Sequence, residues 1–176
     1  MSGNIEADEA CYVDTSVIIA RYKPGDPLHK PAEKFFNRSD TSLHASYLTV
    51  VELSAVLSRI LDELTVPDDT VKDVRTLVAF IFRDCKLILS PYLYTVSAVI
   101  EGQRARMPLE HYLAFKHAEE LRLKTLDLLH LCHAAVLKEM MNVNTLITGD
   151  EDLISQSQTV RKLFGVRVKH PRDFSR

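Results

Sequence analysis

Four acidic side chains lie where a short apolar strand gives way to a helix, or just inside the start of a helix. In chain order they are Asp14, Glu52, Asp127 and Asp150. Taken singly, each is explained as a helix cap or as a favourable charge at a helix N-terminus. Capping is served equally well by Ser, Thr or Asn, however, and here all four positions are acids. Gathered in one cleft, they would repel one another, and such clusters usually hold a hard divalent cation such as Mg²⁺ or Mn²⁺.

Glu52 is the least expected of the four acids because its sequence neighbours are apolar. It stands in "TVVELSAVL", residues 49–57, where burial of a carboxylate is costly. One interpretation is a capping box, in which Thr49 caps the helix and Glu52 reaches back to its amide. The other is that Glu52 projects into a cleft as a metal ligand, or as a group that orients metal-bound waters.

Strands and helices alternate along the chain and would position these acids. Strands are predicted at 11–16, 42–49, 86–91, 144–150 and, at an edge of the sheet, 164–171. Helices are predicted at 17–22, 29–38, around Glu52, and at 66–84, 94–107, 108–123 and 126–141, the 66–84 helix starting at Pro67-Asp68-Asp69. This alternation predicts an α/β fold with a mostly parallel central sheet flanked by helices. The carboxyl ends of such strands share one rim, where ligands bind.

The composition is that of an ordinary globular protein. The chain has 176 residues, of which 46% are hydrophobic and 26% charged, and this suits a flexible tail over 1–10 and a single domain over 11–176. The net charge of −2 gives no overall basic footprint, so nucleic-acid binding would need a local patch. No G-x-G-x-x-G or P-loop motif is present, which argues against dinucleotide and nucleotide triphosphate sites.

The cysteines and the hydropathy pattern indicate a cytoplasmic location. Cys11, Cys85 and Cys132 lie in apolar contexts and form no C-x-x-C pair, so they are interpreted as reduced core residues. The N-terminal segment is polar and acidic, without a signal pattern, and no apolar run is long enough to span a membrane.

The ordered set of motifs resembles the PIN-domain ribonucleases, and most closely the VapC toxins of toxin–antitoxin pairs. The motifs are a hydrophobic-Asp-Thr-Ser run at the first strand, a Glu in an apolar helix, "LDLLHLCHAA" and "LITGDED", and the likeness extends over about residues 11–170. The resemblance implies a PIN-like three-layer fold and metal-dependent cleavage of RNA phosphodiester bonds. It also implies a homodimer and a small antitoxin protein as partner. The chain has more predicted helix between the second and third acids than a minimal toxin.

The resemblance also assigns roles to individual residues. The implied catalytic residues, which hold Mg²⁺ or Mn²⁺, are Asp14, Glu52, Asp127 and Asp150, with Asp152 as a fifth candidate ligand. The resemblance matches Thr15 or Ser16, and Thr148, to polar residues near the metal or the scissile phosphate, and positive charge adds two further candidate substrate-binding residues, Lys124 and Arg122. The last two belong to a run of positive charge, residues 104–124, that could contact an RNA backbone or form a solvated helix surface.

Three alternatives compete with this interpretation. The run Asp127-x-x-His130-x-x-His133 could form a zinc site, although we favour a role for His130 in packing or behind the metal ligands, with His133 facing elsewhere. A haloacid-dehalogenase-like phosphatase is suggested by "VDTS" and "TGDED", but that family needs an acid where Ser16 stands and gives Glu52 no role. A non-catalytic PIN-like scaffold that binds RNA or a protein would be expected to have lost one or more of the acids.

Self-association is predicted from apolar residues on two helices. The candidate interface residues are Phe35, Phe36, Leu77, Phe80 and Ile81, which one core would not fully bury.

Overall fold

A computed structural model describes residues 9–38, 40–66, 73–90 and 94–174. Its strands are Glu9–Val13 (β1), Thr41–Ala45 (β2), Leu87–Leu89 (β3), Thr95–Ile100 (β4), Gln103–Pro108 (β5), Thr145–Ile147 (β6) and Arg167–Lys169 (β7). Its α-helices are Thr15–Tyr22 (α1), His29–Phe36 (α2), Tyr47–Ile60 (α3), Val74–Asp84 (α4), Leu109–Leu121 (α5), Thr125–Met141 (α6), Glu151–Ser155 (α7) and Ser157–Phe164 (α8). Two short 3-10 helices span Leu61–Glu63 and Pro171–Phe174.

Five strands form a parallel sheet in the order β3-β2-β1-β6-β7. Side chains alternate across β1, so Cys11 and Val13 enter one core while Tyr12 enters the other. The first core is built with α1–α4, and the second with α5, α6 and α8. The predicted parallel sheet between helix layers is confirmed, and β7 is an edge strand as expected.

The helix predicted over 94–107 is wrong. These residues form an antiparallel hairpin of β4 and β5, which pairs Ile100 with Gln103 at its tip. The turn residues Glu101 and Gly102 both have positive φ, of 49° and 77°, as a tight two-residue hairpin turn requires. β4 is rich in β-branched residues, which favour strand, and the pairing with β5 outweighed the helical spacing of its apolar residues. The extra segment between the second and third acids is therefore partly a β-ribbon.

Several predicted boundaries shift once backbone pairing is known. The predicted N-terminal tail lies outside the described residues up to residue 8, whereas Glu9 and Ala10 pair with β2 as part of β1. The predicted helix start at 67–69 also lies outside the described residues, and α4 is capped by Asp73, which accepts from the Thr76 amide. Among the described residues, no helix has the length and apolar character to cross a bilayer.

The apolar residues predicted to form a dimer interface lie mainly in the core. Phe35, Phe36, Leu77 and Ile81 are all buried in the first core, and Phe80 packs against it. That argument for self-association is wrong, because α2 and α4 turn these side chains into the first core.

Candidate metal centre

The parallel pairing of β1 and β6 brings distant acids to one rim. Asp14 follows the last residue of β1, and its amide donates to the Ile147 carbonyl at the end of β6, 3.0 Å away. Thr148 and Asp150 follow β6 at the same rim. The carboxyl ends of these strands are therefore where the topology predicts a ligand site.

Asp14 occupies the N-cap position of α1 but does not cap it with its side chain. Instead, its Oδ2 accepts from the hydroxyls of Ser16, at 2.9 Å, and Thr148, at 2.7 Å. The carboxylate is buried, at 6% exposure. Two hydroxyl donors thus fix one oxygen of Asp14 and orient the group, and the capping interpretation does not account for it.

The capping box at the start of α3 excludes Glu52. Ser46 is the N-cap, and the reciprocal bonds join Ser46 and Thr49. The helix begins at Tyr47, which places Glu52 in its second turn, so the proposed Thr49–Glu52 box is wrong. The Glu52 carboxylate instead accepts from Nε2 of His130 on α6, at 2.7 Å. Burial raises the pKa of Glu52, but the His130 and Thr15 side chains outweigh it and the pKa is lowered.

The carboxylates of Asp127 and Asp150 lie close enough at the rim for their charges to repel each other. Asp127 lies in the first turn of α6, and burial, followed by the charges of Asp150 and Asp14, raises its pKa to about 6. Asp150 caps α7, because its Oδ1 accepts from the Leu153 amide at 2.9 Å. The capping interpretation is therefore correct for this oxygen. The Oδ2 of Asp150 lies 3.6 Å from Lys124 Nζ.

A cleft of about 340 Å³ collects the four acids. Asp14, Glu52, Asp127 and Asp150 all line it, together with Thr15, Ser16, Gly149 and the apolar side chains Ile19, Leu28 and Val56. These acids come from four separate parts of the chain, and the structure brings them to one cleft.

The remaining candidate residues are placed differently. Asp152 is 74% exposed, does not line the cleft, and pairs with Lys124. Thr148 is fully buried, so its hydroxyl acts on Asp14 rather than on a substrate. Arg122 lines a separate depression beside Lys116.

The predicted zinc arrangement does not form. Asp127 does not join the histidines, because His130 turns to Glu52 while His133 lies near the buried Glu110, 3.9 Å away. Burial lowers the pKa of His133 to about 4, so it is neutral at pH 7. Among the described residues, the three potential metal-binding groups that lie within 4.8 Å of one another are those of Asp14, Glu52 and His130.

His130 lies behind the acids, which is one of the two roles that the sequence suggested for it. It is 1% exposed, and its Nε2 is 2.7 Å from Glu52 and 3.9 Å from Asp14. Burial disfavours its imidazolium, but Tyr12, Glu52 and Asp14 favour it, and the pKa is raised. The available signal was its position three residues after Asp127, on the same helix face.

The donor set fits a hard divalent cation. Four carboxylates converge, and oxygen ligands are those that Mg²⁺ and Mn²⁺ prefer. Thr15 Oγ1 is buried beside them, and no other described residue offers it a hydrogen bond of good geometry. A buried hydroxyl of this kind is normally satisfied, and a water bound to such a cation would supply a partner.

Comparison with known proteins agrees with the geometry. Residues 11–92 match the family model of the PIN domain. The match covers just under half of the chain, which is similar to the PIN-domain family over that segment. The predicted resemblance to this family is confirmed over the matched segment, which contains Asp14 and Glu52 but ends before the hairpin.

Solved structures show the same fold over most of the chain. VapC20 of Mycobacterium tuberculosis, a toxin that cleaves the sarcin-ricin loop, superposes with a TM-score of 0.52 and 16% identity, over 82% of this chain and 93% of VapC20. VapBC2 of Rickettsia felis, bound to a DNA fragment from its promoter, gives a TM-score of 0.51 and 11% identity, over 92% of this chain and 98% of that one. The predicted PIN-like three-layer fold is confirmed. No curated protein matches the sequence.

Proposed function

We propose that the protein is a metal-dependent endoribonuclease that hydrolyses RNA phosphodiester bonds. The observation that carries the proposal is the convergence of Asp14, Glu52, Asp127 and Asp150 in one cleft at the rim of a PIN fold. A bound Mg²⁺ or Mn²⁺ would activate water and stabilise charge on the phosphate. The four carboxylates would hold it, with Ser16 and Thr148 keeping Asp14 oriented.

Lys124 and Ser16 are the proposed contacts to the RNA backbone. Lys124 is 73% exposed and lies beside Asp150 at the edge of the cleft, so its ammonium can reach a phosphate there. Ser16 is exposed and lines the cleft. Thr15 lines the same cleft but is buried, and Arg122, outside it, could contact RNA only beyond the scissile bond.

The test is RNA cleavage by purified protein with Mg²⁺ or Mn²⁺. Cleavage is expected with either ion or both and should stop with EDTA. Asp14→Asn should abolish it, whereas the matched Asp152→Asn, at an exposed acid outside the cleft, should retain it. Cleavage that persists in EDTA, or that survives Asp14→Asn, would contradict the proposal. A folded, RNA-binding protein that never cuts would instead indicate the scaffold alternative.

The phosphatase alternative gains no support from the cleft. The position where that family needs a second acid is Ser16, whose hydroxyl donates to Asp14 and so serves to orient it. Glu52, which has no role in that alternative, lines the cleft. Hydrolysis of a small phosphomonoester by wild type but not by Asp14→Asn, without RNA cleavage, would revive it.

We further propose that the protein is the toxin of a toxin–antitoxin pair, with a small antitoxin as partner. The support is the shared fold with VapC20 and VapBC2. Expression in a bacterial host should arrest growth, and co-expression of the product of a small adjacent gene should relieve the arrest. Asp14→Asn should be harmless. Equal growth with wild type and Asp14→Asn, at equal protein levels, would count against a toxin.

A homodimer and a cytoplasmic location complete the proposal. Val51 and Phe115 are more than 60% exposed, which leaves apolar side chains for an interface other than the one predicted. Light scattering at tens of micromolar should give twice the chain mass, and a monomer would refute the dimer. The free, buried thiols of Cys11, Cys85 and Cys132 fit a reducing compartment.

A further inference from the structure

Behind the cleft, a hydrogen-bonded chain connects the sheet to Glu52. His130 lies between two partners: its Nε2 is 2.7 Å from Glu52 Oε2, and its Nδ1 is 2.7 Å from the hydroxyl of Tyr12. Tyr12, the penultimate residue of β1, is fully buried, and His130 is 1% exposed. Neither residue lines the cleft, so neither is placed to touch RNA.

The Tyr12 hydroxyl is also tied to the start of α3. It lies 2.8 Å from Ser46 Oγ and 3.3 Å from Thr49 Oγ1, the two side chains of the capping box. One hydroxyl therefore connects β1, the first turn of α3 and the middle of α6. Glu52 follows in the next turn of α3. Tyr12 is therefore connected to Glu52 in two ways, through the start of α3 to its backbone and through His130 to its carboxylate.

The direction of the hydrogen bonds follows from chemistry. A carboxylate accepts only, so Nε2 of His130 must carry the proton that it shares with Glu52. That nitrogen then has no lone pair available, and His130 does not bind a metal while the contact lasts. The contact engages one oxygen of Glu52 and leaves the other for the cleft.

We propose that Tyr12 and His130 are positioning residues that hold Glu52 in the cleft in the geometry needed to bind a divalent cation. The inference rests on the proposed metal-dependent function. Glu52 has several rotatable bonds, and without a partner its partly exposed carboxylate would be free to sample other rotamers. Outer partners of this kind typically change metal affinity or activity by about 10–100-fold when they are removed.

The test measures Mn²⁺ binding by calorimetry on protein stripped of metal, without RNA. Tyr12→Phe removes only the hydroxyl, and His130→Met removes both ring nitrogens at similar volume. Each should raise the Kd for Mn²⁺ by about 10–100-fold. His130→Gln can still donate to Glu52 from its side-chain amide and should bind Mn²⁺ nearly as well as wild type.

Two residues next to the Tyr12–His130–Glu52 hydrogen bonds serve as matched controls. Tyr47 is also on α3, and its hydroxyl donates to the buried Glu110, outside the cleft. His133 is as buried as His130, but neither of its ring nitrogens has a hydrogen-bond partner within the described part of the chain. Tyr47→Phe and His133→Gln should leave Mn²⁺ affinity unchanged, which separates positioning from a general loss of packing.

A double-variant cycle identifies the route. If Tyr12 acts through Glu52, adding Tyr12→Phe to Glu52→Gln should weaken Mn²⁺ binding no further. Additive losses, an unaffected Tyr12→Phe, controls that weaken binding equally, or His130→Gln as impaired as His130→Met would each overturn the inference. RNA cleavage is measured separately. If the wild-type protein binds Mn²⁺ but cuts no RNA, the proposed function is wrong. The effect of Tyr12→Phe on Mn²⁺ binding would still test the positioning role.

Discussion

At the residue scale, the Asp127 carboxylate lies where its own charge is disfavoured. Its ordinary pKa of 3.8 rises to about 6 in the folded chain because of burial and the nearby Asp150 and Asp14. Between these pH values the folded chain keeps a proton that the unfolded chain has lost. In the metal-free protein, the ionisation of Asp127 therefore lowers the free energy of unfolding as pH rises from about 4 to 6. Above that range the loss of stability has reached its full size.

Asp127→Asn should remove that penalty and abolish RNA cleavage at once. At pH 7.5 in EDTA, the variant should be more stable than wild type by about 1–3 kcal/mol, allowing for screening by the solvent that reaches this side chain. The difference should shrink as pH falls and vanish below about pH 4, where the carboxyl is protonated in both states. Urea unfolding across this range measures it. A variant less stable than wild type at pH 7.5 would indicate a structural role for Asp127.

Glu52→Gln should fold normally and lose most of its cleavage rate. The capping box is complete without Glu52, so the helix start is untouched. An amide is a poor ligand for a hard cation, so Mn²⁺-dependent turnover should fall. Glu63→Gln, at an exposed acid just beyond the same helix, is the matched control and should cut RNA at the wild-type rate. Near-normal turnover by folded Glu52→Gln would show that the metal site has been misassigned.

At the scale of elements, the β4–β5 hairpin depends on its turn. Glu101 and Gly102 both adopt positive φ, a conformation that Gly and Asn tolerate best. A Cβ at Gly102 would meet nothing within 4 Å, so any cost of substitution there is one of backbone conformation. The hairpin packs on α5 and is joined to it by the bond from the Leu109 amide to the Tyr94 carbonyl.

Gly102→Ala should therefore destabilise the protein by about 1–2 kcal/mol. Glu101→Asn, which creates the favoured Asn-Gly turn, should stabilise it by a few tenths to about 1 kcal/mol. Thermal unfolding of the two variants beside wild type measures both effects. Equal melting temperatures for all three would mean that the hairpin unfolds independently of the rest.

At the scale of the whole molecule, a bound cation should stabilise the fold. A ligand that binds only the folded state at 100 times its Kd adds about 2.7 kcal/mol. Mn²⁺ should thus raise the melting temperature of wild type, and EDTA should reverse the rise. Asp14→Asn should show almost no response to Mn²⁺. An equal response in both proteins would place the ion outside the cleft.

The layered fold, and the meeting of the four acids at one rim of its sheet, could be predicted from the sequence by itself. Alternating strands and helices imply a parallel sheet, and the right-handed crossovers of such a sheet bring its carboxyl ends to one rim, so residues that follow strands could be predicted to meet. Periodicity failed over residues 94–107, because short β-branched segments fit either a helix or a strand and cross-strand pairing decided between them.

Only the tertiary structure decided what each side chain does at that rim. It showed Asp14 held by hydroxyls from two segments, Asp152 turned to solvent, and His130 joined to Glu52 and Tyr12. It also buried the apolar residues that had been assigned to an interface. The physical reason is the sequence separation of the interacting residues. Periodicity and capping depend on residues that are close together in the chain. The hydrogen bonds and burial at the cleft instead involve residues that are far apart in sequence and meet only when the sheet and helices pack.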